Sequence, residues 1–170
     1  MNKLFSLMLL AASASLPIAA QAADPQRMAD VARRGADVMP FDLKATTHVF
    51  TTTPDGGVQS VVAKDPQDAA QVRLIRSHLK DIRAQFLAGD FAGPSHIHGP
   101  EMPGLRELKA AAPGQIAIAY ADLPDGAQLT YSTKSPALVA ALHAWFDAQL
   151  SDHGADAMAG HRHPGHGSGR

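Results

Sequence analysis

The 170-residue chain has no cysteine, one tryptophan and two tyrosines, and aromatic residues make up only 5% of it. Without thiols there are neither disulfides nor thiolate metal sites. A fold must then be held by packing, and a metal would be bound through His, Met and carboxylates. Excess charge of either sign is also missing. The 15 Lys+Arg stand against 16 Asp+Glu, which excludes a global basic field for nucleic acid or an anionic bilayer. The G-x-x-x-x-G-K-[ST] and G-x-G-x-x-G loops that cradle nucleotide phosphates do not occur, nor do a G-x-S-x-G elbow or an H-E-x-x-H helix. Ser95 adjoins His96, but neighbours in sequence do not place an imidazole against a hydroxyl.

What is present begins with an address. Lys3 supplies a positive start, Leu4 to Leu16 is a mainly apolar run without charge, and Ala20-Gln21-Ala22 puts small residues where a signal peptidase reads. This is the form of a secretory signal peptide over residues 1–22, and it predicts export to the periplasm. The run is shorter than the roughly 20 residues a bilayer demands, so no membrane association is expected after cleavage.

Beyond it, Asp24 and Pro25 suit the N-cap and first turn of a short helix within a lead-in of residues 23–44. Thr46 to Thr53 and Val58 to Ala63, parted by Pro54-Asp55-Gly56-Gly57, read as a hairpin. Asp65 is the candidate cap of a long helix carrying Val72, Ile75, Leu79, Ile82 and Phe86 at alternating spacings of three and four, which Gly89 ends. The order then recurs. Ile116 to Ala121, Pro124-Asp125-Gly126, Gln128 to Thr133, and a helix with Val139, Leu142, Phe146 and Leu150 follow, with Pro54 and Pro66 matched by Pro124 and Pro136. The shared 70-residue offset predicts an α+β domain over residues 45–153 built from two β-β-α units, 45–90 and 115–153. The expected result is a four-stranded antiparallel sheet with two long helices on one face, plus the short N-terminal helix. The Gly- and Pro-rich loop 91–114 holds a short helix, Leu105 to Ala112, and residues 154–170 read as a disordered His/Gly-rich tail.

Nine histidines are the main chemical anomaly. His96 and His98 sit two apart in a Gly/Pro-punctuated loop. If that loop is extended, both imidazoles project to one side and reach one ion, with Glu101 and Met102 near enough to add an oxygen or a thioether. His48, His78 and His143 lie at the edges of apolar stripes and form a candidate inner set, unless each is simply bonded to a backbone group. The tail forms the third set: His153 follows Asp152 at the end of the last helix, and His161, His163 and His166 form a metal-recruiting tract beside Met158. Imidazole-dominated ligation favours Cu or Zn.

The stretches Met39-Pro40-Phe41-Asp42-Leu43, Ile97-His98-Gly99-x-x-Met102-Pro103-Gly104-Leu105, Leu142-His143-Ala144-Trp145-Phe146-Asp147-Ala148-Gln149 and Asp152-His153-Gly154 resemble a family of small exported bacterial proteins. Its members often bear the automatic label aspartate carbamoyltransferase. The resemblance covers most of the chain after the signal peptide and implies no catalytic residue. The label fits the sequence poorly, because carbamoyltransferases are about twice this length, with two α/β domains. Their Ser-Thr-Arg-Thr-Arg-type phosphate motif is also missing.

The resulting expectation is an exported, non-enzymatic protein that binds Cu or Zn through histidines, for buffering, delivery or resistance, with a periplasmic protein as a second kind of partner. One alternative is a metal-free module for a protein or small ligand. Another is a metal-dependent hydrolase, which needs an open coordination position beside Glu101 or Asp152.

Overall fold

The computed structural model describes residues 24–160; the expected signal peptide and His161, His163 and His166 lie outside them. The β-branched runs around Pro54-Asp55 form the hairpin of β1 (Thr46–Thr53) and β2 (Gly56–Ala63), and those around Pro124-Asp125 form β3 (Ala117–Leu123) and β4 (Gly126–Ser132). The hairpins join through an antiparallel β2–β4 pairing that sets Gln59 opposite Leu129 and Val61 opposite Ala127. One face carries His48, Phe50, Gln59, Val61, Ile118, Leu129 and Tyr131, all buried, while their neighbours along each strand are more exposed. This alternation is that of a sheet covered on one side.

Two helices supply most of the cover. α2 (Ala69–Leu87) packs on β2, β3 and β4, and α5 (Pro136–His153) on β1 and β2. Along α2 the expected stripe is buried at Val72, Ile75, Leu79 and Phe86. The α2 cap is Asp68, which accepts from the Ala70 and Gln71 amides; the expected cap, Asp65, instead accepts from Gln67 in the preceding turn. For α5, Ser135 caps and Pro136 fills the first turn. Trp145 and Phe146 of α5 meet Tyr131 and form the aromatic centre of the core. Gly57 allows this approach, since a Cβ there would stand 2.4 Å from Phe146.

The architecture is α+β, but the sheet is not the expected four antiparallel strands. It has five, in the order β3-β4-β2-β1-β5, and β5 (Ala157–Ala159) runs parallel to β1. Part of the expected disordered tail is therefore ordered. A short 3₁₀ turn at Gly154–Asp156 returns the chain, and the Gly160 amide donates to the Phe50 carbonyl.

The segment 91–114 also departs from a loop, because it folds α3 (Ala92–His98) as well as α4 (Leu105–Ala110). Gly104 precedes α4 at φ +76°, where a Cβ would meet the Ala141 carbonyl at 2.0 Å, so glycine lets α4 lie on α5. α1 (Pro25–Val38) is docked, not loose: Asp24 caps it, Pro25 opens it, and Val31 is fully buried. No helix among the described residues is long and apolar enough to cross a membrane.

Candidate functional site: a buried histidine cluster

The helical state of α3 decides what His96 and His98 can do. Successive helical residues turn by about 100°, so positions two apart point to nearly opposite sides. An extended loop would have paired them; the helix parts them. His96 is exposed, its Nε2 3.6 Å from Asp37 Oδ2, whereas His98 is only 4% exposed. Met102 is buried in the apolar core, and Glu101 and Met158 are exposed.

His98 joins a different group. Its ring lies edge-on to that of His153 at 5.1 Å between centroids, and His153 stacks on His48 at 5.3 Å with only 5° between the planes. Phe41 bridges onward, 6.0 Å from His48 and 5.5 Å from His78. Imidazoles from β1, α2, α3 and α5 thus line one cavity of about 170 Å³, walled also by Ile97 and Trp145. His153 belongs to this group, not to the tail. His143 does not: its Nε2–H is shared between the Thr53 and Gly56 carbonyls at 3.0 and 2.9 Å, and it fastens α5 to the end of the β1–β2 hairpin.

Arg27, which no motif marks, and Asp152, expected only as a carboxylate beside a hydrolytic metal, hold the cluster in place. Asp152, itself buried, accepts from His98 Nδ1 at 2.8 Å and from Arg27 at 2.5 and 2.7 Å. Arg27 also donates to the His98 carbonyl at 3.2 Å, so α1, α3 and α5 meet at this point. Burial alone would raise the Asp152 pKa, but the Arg27 and His98 hydrogen bonds outweigh it and hold the carboxyl below its usual range. An ionised carboxylate only accepts, which makes His98 the donor through Nδ1–H and leaves a lone pair on Nε2. Gln149 Oε1 likewise takes the Nε2–H of His153 at 3.1 Å, leaving Nδ1 as the free nitrogen.

His48 and His78 complete the inventory. His48 Nδ1 and His78 Nε2 are buried with no hydrogen-bond partner among the described residues. Burial, reinforced by His153, His78 and His98, pushes the His48 pKa down to about 3. Burial, with His98 beside it, takes His153 down to about 4. Burial also lowers His78 and His98, against the opposing pull of Asp81 and Asp152 respectively. All four rings are therefore neutral at pH 7, the form that donates a lone pair.

Among the described residues, no three His, Asp or Glu side chains already meet in an arrangement that could hold a metal ion. The near-parallel stacking of His48 and His153 gives one reason, since their in-plane lone pairs run side by side and do not converge. Both Asp152 oxygens are engaged, by Arg27 and His98, and among the described residues Ser95 Oγ, one turn before His98, is buried without a hydrogen bond. Comparison of the chain with protein-family models, with curated proteins and with solved structures finds no match.

Proposed function

We propose that this chain is an exported protein that takes up a transition-metal ion, Cu or Zn, at His48, His78, His98 and His153, and buffers or delivers it. The observation that carries the reading is the pair of orphaned nitrogens, His48 Nδ1 and His78 Nε2, in a cavity shared with two further neutral imidazoles. Buried polar atoms are nearly always partnered, and an ion bound between them would give both nitrogens a partner. The Asp152–His98 bond adds support, because metal-ligating histidines commonly give their second N–H to a carboxylate that fixes tautomer and ring. Uptake requires the His48–His153 stack to open, so that the lone pairs turn inward.

Calorimetric titration of Cu²⁺ and Zn²⁺ tests this. His161→Ala/His163→Ala/His166→Ala serves as the background, removing the tail's own ligands. On it, His98→Ala/His153→Ala abolishes the tight step and His96→Ala leaves it intact. An isotherm unchanged by the loss of His98 and His153 overturns the assignment.

The lack of a preassembled three-ligand group among the described residues favours a second reading, a metal-free cavity for a small polar ligand. That reading expects backbone partners on the edge histidines, which His143 has and His78 lacks. It also expects no rise in melting temperature with metal. The chain's β1-β2-α2 and β3-β4-α5 segments are further read as two copies of one β-β-α unit. The 70-residue offset supports this, as do the Pro-Asp turns and the helices packed on one sheet face.

A further inference from the structure

A second, larger cavity of about 280 Å³ lies between the C-terminal end of α2, α4 and the start of β3, on the other side of Trp145 and Phe86 from the histidines. Its walls combine aromatic rings and aliphatic chains with the main chain of residues 87–89 and 111–114, so the lining is mixed, apolar and polar. Phe86 and Phe91 stack at 4.4 Å, and Trp145 meets Phe86 edge-on at 5.8 Å. Two polar side-chain groups bear on a ligand there. Trp145, whose indole lines both cavities, is 1% exposed, yet its Nε1–H, which is a donor only, has no acceptor among the described residues. Lys109, exposed and in no ion pair among the described residues, is the only charged side chain in the lining.

A dry cavity of about 150 Å³ accommodates one benzene ring, so this one suits a ring with a short side chain, roughly ten to twelve heavy atoms. An apolar body satisfies the walls, an acceptor oxygen satisfies Trp145, and an anion satisfies Lys109. We propose that this cavity binds a small aromatic monocarboxylate whose ring lies among Phe86, Phe91 and Trp145. An oxygen on the ring accepts from Trp145 Nε1, and the carboxylate faces Lys109. The site is independent of the metal reading.

The test is calorimetry on the full chain in EDTA, which removes metal, with 3-(4-hydroxyphenyl)propionate, 3-phenylpropionate and 4-ethylphenol as probes. The hydroxy acid binds at one site with a Kd of about 0.1 mM, the range open to a ligand of this size. Removing its ring oxygen weakens binding about fivefold to tenfold in the parent chain. In Trp145→Phe the two acids bind alike. Lys109→Met weakens both acids by up to about fivefold, as for an exposed pair, and leaves 4-ethylphenol unchanged. Ala112→Trp, at an exposed position of the lining, blocks all three probes and keeps the test open should Trp145→Phe fail to fold. Absence of binding by the parent chain at millimolar probe overturns the proposal. So does binding that Trp145→Phe, Lys109→Met and Ala112→Trp leave unchanged.

Discussion

His143 and His78 occupy comparable places on two helices that cover the same sheet face, each at the edge of its apolar stripe, but their ring nitrogens are treated in opposite ways. His143 spends its Nε2–H on two carbonyls at a hairpin end and is a structural fastener. His78 Nε2 is buried with nothing to bond, and its ring rests against Phe41. Stripe position is the same information for both. The difference lies in what chain 90 residues away brings to His143, and in what no segment brings to His78. His98 is a third case, with one nitrogen clamped by Asp152 and the other left with a lone pair.

If this contrast is physical, substitutions should follow it in size. Asp152→Asn has the largest effect, because it weakens charge-assisted bonds to both His98 and Arg27. About 2–3 kcal/mol of stability should be lost at pH 7, read by urea denaturation. His143→Ala comes next at about 1–2 kcal/mol, since it strips the Thr53 and Gly56 carbonyls of their donor. In His78→Phe the sign should reverse. A ring that leaves no orphaned nitrogen should be neutral or up to about 1 kcal/mol more stable, while metal uptake falls. Clear destabilisation by His78→Phe would break the comparison. His96→Ala, at an exposed ring, should change stability by less than about 0.5 kcal/mol.

Acid sharpens the same contrast. The folded pKa values of His48 and His153 are depressed to about 3 and about 4, below the ordinary 6.5, so as pH falls the unfolded chain takes up protons first. Their contribution is complete above pH 6.5 and is lost progressively as pH drops toward 4 and 3. The urea midpoint in EDTA should therefore fall between pH 7 and 5. His48→Phe should flatten that slope.

The local signals in the chain were legible. Pro54-Asp55 and Pro124-Asp125 mark real turns, and the apolar spacing along α2 marks its buried face. Ile118 and Tyr120 share a face with Leu129 and Tyr131, as their alternation indicates. What misled was context. Gly93 and Pro94 read as loop, yet they lie in the first turn of α3, where proline lacks only an amide that needed no partner. That one reassignment separates His96 from His98. β5 is three residues long with two alanines, too short for an alternation pattern. His153 was grouped with the tail because its neighbours, His48 and His98, come from distant chain. Arg27 carries no motif, and the pairing of Asp152 with Arg27 and His98 follows only from the fold.

The Arg27–Asp152 clamp ties residues 125 apart in sequence, one in the first described helix and the other in the last. A polypeptide is made from its N-terminus, so Arg27 waits unpaired until nearly the whole chain has been synthesised. The clamp is thus a completeness check: products ending before residue 152 retain three of the cluster's histidines, yet never acquire the anion that orients His98.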